Sequence, residues 1–142
     1  PECPWGAEYS AEELEKNKAH NQAEITKLIN LANTYKDIVS SVSIGNEASV
    51  SWTDHLVPVD SLVNYAVQLK SSVSQPVTFC ENYVPWLDKL KPLVDEIDFI
   101  SIHTYPVWEY KSIQEGLAYT IDNYNAVAEA YPGVQVVITE AG

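Results

Sequence analysis

Two glutamates stand at the ends of short β-rich runs, Glu47 after Val42-Ser43-Ile44-Gly45-Asn46 and Glu140 after Val136-Val137-Ile138-Thr139. Burying even a neutral polar group without a partner costs about 2 to 7 kcal/mol, and an unpaired charge costs more. Packing therefore explains a carboxylate at the carboxyl end of a buried strand poorly. Two carboxylates delivered by different strands suit acid/base or nucleophilic chemistry on a glycosidic bond, where one starts protonated and the other ionised.

The elements that must carry them follow from periodicity. From Ala11 to Lys36, apolar positions such as Leu14, Ile25, Leu28, Ile29 and Ala32 recur at mostly helical spacing, and Ser10 with Glu13 forms a capping box ahead of them. Asp37 to Ile44 turns β-branched and apolar, predicting a strand that ends in Gly45-Asn46-Glu47. A helix over Asp60 to Ser72, the breaker Gln75-Pro76 and a strand over Val77 to Cys80 lead to Glu81-Asn82. A short helix over 84–93 and a strand over 97–102 lead to His103-Thr104-Tyr105-Pro106. A helix over 112–131, the Pro132-Gly133 breaker and a strand over 134–139 lead to Glu140.

Four alternations with no hairpin signal predict an α/β fold of parallel strands joined by crossover helices. The mostly continuous apolar strands fit a sheet covered on both faces. Polar, acidic and aromatic residues gather at the strands' C-terminal ends, where such folds place their sites. A doubly wound sheet and a (β/α)8 barrel share this alternation, so periodicity alone does not choose between them.

Composition narrows the ligand. The chain has 142 residues with 46% hydrophobic content, which supplies a core. No stretch reaches the roughly 18 consecutive apolar residues of a membrane span, and the start at Pro1-Glu2-Cys3-Pro4 lacks the pattern of a signal peptide. Eight basic against 20 acidic residues give a formal charge of −12, which disfavours nucleic acid and anionic membranes and favours a neutral ligand such as a glycan. That charge lies mostly on helices such as the one from Ala11, as solvated surface. Cys3 and Cys80 form neither a compact metal motif nor a disulfide framework, and whether they pair is left open. His20, His55 and His103 show no metal-ligand spacing, so neither metal nor cofactor is expected.

Ser43-Ile44-Gly45-Asn46-Glu47, His103-Thr104-Tyr105-Pro106-Val107-Trp108-Glu109 and Val137-Ile138-Thr139-Glu140-Ala141-Gly142 together resemble glycoside hydrolase family 17, the β-1,3-glucanase and glucanosyltransferase family. The resemblance runs over nearly the whole chain, including Glu81-Asn82-Tyr83 and Trp86. The Asn-Glu pair is shared with a wider clan of barrel glycosidases, whereas the Tyr-Pro-x-Trp-Glu run and Thr-Glu-Ala-Gly narrow it to this family.

The resemblance implies a TIM barrel in which Glu47 ends strand four as general acid/base and Glu140 ends strand seven as nucleophile. Residues 1–142 would then form one partial catalytic barrel domain, about strands four to seven, with Trp5-Gly6 the tail of strand three. A whole barrel takes about 250 residues, so the isolated piece is expected to expose sheet edges and to self-associate unless partners complete it. The implied activity is retaining cleavage of laminarin-like β-1,3-glucan outside the cytoplasm, in a secreted, cell-wall or periplasmic setting. Its alternatives are β-1,3-glucan transglycosylation and glycan binding without turnover.

Around the two glutamates, Asn46 is expected to bond the sugar 2-hydroxyl. Tyr105 would orient Glu140, while His103 suits a packing role and a substrate contact equally. Trp86, Trp108 and Tyr83 are candidates for stacking on pyranose faces, and Glu81, Asn82 and Glu109 for recognising hydroxyls. Trp52, with no motif around it, reads as packing or loop closure.

Overall fold

A computed structural model describes residues 9–142; the Trp5-Gly6 strand tail and Cys3 lie outside the described residues. Helix α1 spans Ala11–Thr34, and its start is the expected capping box: Ser10 N–H donates to Glu13 Oε2 at 2.8 Å while Glu13 N–H donates to Ser10 Oγ at 3.3 Å. Strand β1 is Val42–Asn46, α2 is Val59–Ser72 and β2 is Val77–Asn82. Two short helices follow, α3 at Tyr83–Leu87 and α4 at Lys91–Val94, then β3 at Ile100–Thr104. A 3-10 turn at Pro106–Glu109, helix α5 at Ile113–Ala130 and β4 at Val136–Ala141 complete the order.

All three strand pairings are parallel, and the sheet order is β1-β2-β3-β4. This order decides what periodicity left open, because a doubly wound sheet reverses direction at a switch point whereas a barrel adds each strand beside the last. The helices cover one face. Against it lies a core built on Leu62, Leu69, Phe79, Trp86, Leu90, Leu93, Ile100 and Ile102, all essentially without solvent exposure. The opposite face carries small polar side chains, including Ser43, Thr78, Cys80, Ser101 and Thr139, around an open depression.

Several boundaries moved from their expected places. The β-branched run after α1 begins as a helical turn, because Ile38 and Val39 N–H donate back to Tyr35 O, both at 2.9 Å. The helix expected over 84–93 is broken at Asp88, between helices carrying Pro85 and Pro92, each of which lacks an N–H for a preceding turn. Ile97 and Asp98 precede their strand: Ile97 is buried in the core, and Asp98 Oδ2 instead accepts from Val77 N–H at 2.7 Å.

Trp86 is corrected here from a sugar platform to a core residue. Its indole is fully buried, meets Phe79 edge-on at 6.0 Å between ring centroids, and donates from Nε1 to Ser101 O at 3.0 Å. A ring enclosed on that scale presents no face to a ligand.

Candidate active site

The sheet register brings the two glutamates together. Between β3 and β4 the pairing runs Ile102 with Ile138, then His103 with Glu140, so Thr139 is one residue extra in β4. Side chains alternate faces along a strand, so without the slip Glu140 would share a face with Ile138. The bulge turns it onto the face of His103, a role that bulges beside functional sites often serve. A second slip lies in β1, where Ser43 pairs with Thr78 and Asn46 with Cys80.

Directly after β1, Glu47 has a φ of 45°. For a side chain with a Cβ this left-handed backbone costs on the order of 1–3 kcal/mol, and such strain persists only where the surroundings enforce it. Here Glu47 N–H extends the ladder to Cys80 O at 2.9 Å, and Val57 N–H closes the following loop on Ala48 O at 2.8 Å.

His103 lies between the carboxylates with no solvent exposure of its side chain. Its Nδ1 is 3.0 Å from Glu47 Oε1, and its Nε2 is 3.5 Å from Glu140 Oε1, an ion-pair distance too long for a good hydrogen bond. Burial by itself would depress the imidazolium, but Cys80, the Glu47 contact and the charges of both glutamates outweigh it and hold the His103 pKa above its ordinary value. The charged ring can donate from both nitrogens. It thereby offsets the repulsion between two carboxylates that each place an oxygen within 4.8 Å of the other.

Tyr105 O–H donates to Glu140 Oε2 at 2.7 Å. That bond, reinforced by desolvation and by the negative charge around it, raises the phenol's pKa and keeps Tyr105 a donor. The ring is backed by Gly142, where a Cβ would fall 2.9 Å from Tyr105 Cδ1 and Cε1.

Glu47 and Glu140 open onto a cavity of about 640 Å³ lined also by Trp52, Asn82, Tyr83, Tyr105, Trp108 and Glu109. Trp108 is 75% exposed, leaving its indole open to a ligand. Tyr83 is fixed at the wall by its hydroxyl, 3.0 Å from that of Tyr119, with the two rings edge-to-face. Asn82 caps α3 by accepting from Val84 N–H at 3.0 Å and reaches the cavity as well. Trp52, expected to pack or close a loop, instead lines the cavity at 56% exposure. Its position as the sixth residue of the β1–α2 connection carries no periodic signal, and only the folding of that loop over the strand end reveals it.

Besides Trp86, three expected substrate contacts are not placed in the cavity wall. Glu81 is fully buried on the far side, its Oε2 accepting from Ser49 N–H and its Oε1 from Asn82 N–H, both at 2.7 Å, so it has no freedom to recognise a hydroxyl. Burial raises its pKa, the two N–H groups oppose the shift, and the Glu47 charge adds to it. Asn46 is exposed but faces a separate depression bordered by His55 and Tyr65, its carbonyl 3.2 Å from His55 Nε2. His103, enclosed beneath both glutamates, contacts them in place of substrate.

The trio Glu47, His103 and Glu140 could in principle offer one ligand atom each to a metal ion. Its two ring nitrogens, however, face different carboxylates, so one ion would forfeit one of the two contacts. The arrangement suits proton and charge exchange between paired carboxylates.

A family model described as the BtgE/BtgC glycoside hydrolase domain matches residues 10–142. Among solved structures, the chain is similar to a glycoside hydrolase family 17 β-1,3-glucanosyltransferase from Rhizomucor miehei, with a TM-score of 0.74 and 27% identity over 86% of this chain and 45% of that one. It is likewise similar to an active-site mutant of the Rhizomucor miehei β-1,3-glucanosyltransferase in complex with laminaritriose, with a TM-score of 0.74 and 26% identity over the same shares. The chain thus spans under half the length of these structures, and its four-stranded sheet is a partial barrel. No curated protein matches it.

Proposed function

The chain belongs to the BtgE/BtgC glycoside hydrolase domain family, and from that premise we propose that it supplies the two carboxyl groups of a retaining glycosidase acting on β-1,3-glucan. One observation carries the reading: Glu47 and Glu140 come from different strands, face one cavity and approach within 4.8 Å. Retaining enzymes hold their carboxyl groups roughly 5 to 5.5 Å apart, whereas inverting ones leave about 6.5 to 9.5 Å for a water molecule.

In the proposed cycle, Glu140 attacks the anomeric carbon while Glu47 gives its proton to the departing glycosidic oxygen. Tyr105 fixes the Glu140 carboxylate through Oε2, leaving Oε1 towards His103 and the bond to be broken. In the second half Glu47 removes a proton from the incoming acceptor, whose oxygen displaces Glu140. Trp52 and Trp108, both exposed at the cavity, supply apolar faces for sugar rings. The laminaritriose complex of the similar Rhizomucor miehei enzyme supports a β-1,3-linked substrate. For such a polymer we propose a setting outside the cytoplasm.

Water as acceptor makes this a hydrolase, and a sugar hydroxyl makes it a transglycosylase. The second outcome has specific support, since both similar structures are of a glucanosyltransferase. The test is mass spectrometry of products after the full-length protein is incubated with a linear β-1,3-glucan oligosaccharide in ¹⁸O-labelled water. Shorter labelled products establish hydrolysis, and longer unlabelled ones transfer. Glu47→Gln and Glu140→Gln should each lower turnover by about 100-fold or more. No products from the wild type would sink the enzyme reading in favour of glycan binding.

A further inference from the structure

Glu81 is a buried carboxylate with no cationic partner among the described residues, and it is not part of the cavity lining. It follows Phe79 by two positions in β2 and so shares the strand face that packs on the helices. Both oxygens accept backbone N–H groups, Oε2 from Ser49 and Oε1 from Asn82, each at 2.7 Å. Ser49 lies two residues beyond Glu47, in the connection that begins with the left-handed turn at φ 45°. Asn82 is the neighbouring residue of Glu81's own strand end, whose ladder holds Glu47 N–H on Cys80 O at 2.9 Å. The carboxylate therefore ties the Ser49 end of the Glu47 turn to the same strand whose Cys80 carbonyl holds the Glu47 end. An ionised carboxylate suits this task because it accepts on both oxygens and donates nothing, whereas an amide must present N–H groups to one of the two donors.

We infer that Glu81 is a positioning residue for Glu47: it clamps residues 47–49 in the backbone conformation that aims the Glu47 carboxyl into the cavity. The inference rests on the proposed acid/base role of Glu47. If the clamp is weakened, Glu47 is misplaced while Glu140, Tyr105 and the sugar-facing indoles stay where they are. Only the proton-dependent part of catalysis should suffer.

The experiment compares two substrates in the full-length protein: a β-1,3-gluco-oligosaccharide, whose leaving group needs a proton, and 2,4-dinitrophenyl β-laminaribioside, whose phenolate leaves without one. For each, kcat/KM reports formation of the glycosyl enzyme. Glu81→Gln should lower kcat/KM on the oligosaccharide by about 100-fold, the scale of an ångström-sized misplacement. On the dinitrophenyl substrate kcat/KM should stay within about threefold, since proton donation adds little there. Equal losses on both substrates, or no loss on either, overturn the inference.

Glu47→Gln is measured alongside and should show the same split. If it does not, or if the wild type acts on neither substrate, the acid/base reading itself has failed, and the two failures are told apart. Thermal melts accompany each assay. Should Glu81→Gln not fold, Glu81→Asp, which keeps the charge but shortens the reach by one methylene, takes its place. If neither folds, Glu81 is a general folding residue and the positioning role is wrong.

Discussion

His103 in β3 is paired with Glu140 in β4 rather than with Thr139, so one unpaired residue sets the nucleophile candidate on the histidine's face of the sheet. The same imidazole reaches Glu47 at 3.0 Å on its other side. A single enclosed ring thus connects carboxylates from opposite edges of the sheet.

The contacts that overcome this burial make stability depend on pH. The folded-state pKa of His103 is raised above the unfolded value of about 6.5. Its contribution is then fully present below that unfolded value and is lost as pH rises through the folded value. Melting temperature measured from pH 5 to 9 should show the wild type's advantage over His103→Gln greatest at the acid end and shrinking towards alkaline pH. A constant gap would contradict a charged His103.

Gly142 sets the position of Tyr105. A Cβ there meets the ring at 2.9 Å, so Gly142→Ala must push the phenol off Glu140 Oε2. A hydrogen bond to a charged group contributes about 1.5–3 kcal/mol, so kcat/KM on β-1,3-glucan should fall by about 10- to 100-fold in both Gly142→Ala and Tyr105→Phe. The double variant should be little worse than either single one, since both remove the same contact. Fully additive losses would show that Gly142 acts by another route.

The two classes of tryptophan should separate in assay. Trp108→Ala and Trp52→Ala, at exposed positions on the cavity, should raise KM for gluco-oligosaccharides by about 3- to 10-fold while the melting temperature stays close to wild type.

Trp86→Ala should do the reverse. Removing a fully buried aromatic costs about 3–5 kcal/mol, to be read from denaturant unfolding, with KM unchanged in the folded fraction. A raised KM without lost stability would restore Trp86 to the substrate site.

These residues also show what a sequence reveals. Helix α1 was legible because Ser10, Glu13 and a long apolar stripe all act within a few residues of one another. Glu47 and Glu140 stood out as candidates because their signal is local, a charge abutting an apolar strand. Trp86 and Trp108 could not be told apart that way, because both are indoles a few residues beyond a strand end and only the packing of α3 on Phe79 buries one of them. The Thr139 bulge was equally hidden, since register belongs to a pair of strands and β4 read alone is a regular apolar run. Glu81 looked like a ligand contact because its role depends on Ser49, 32 residues away in sequence.

The left-handed backbone of Glu47 sets the site against the fold. Asparagine and glycine occupy that conformation more readily than glutamate. Glu47→Asn and Glu47→Gly should therefore melt above the wild type even as they abolish turnover, a stability–activity trade-off confined to one residue. Drift under selection for foldedness alone would discard this glutamate.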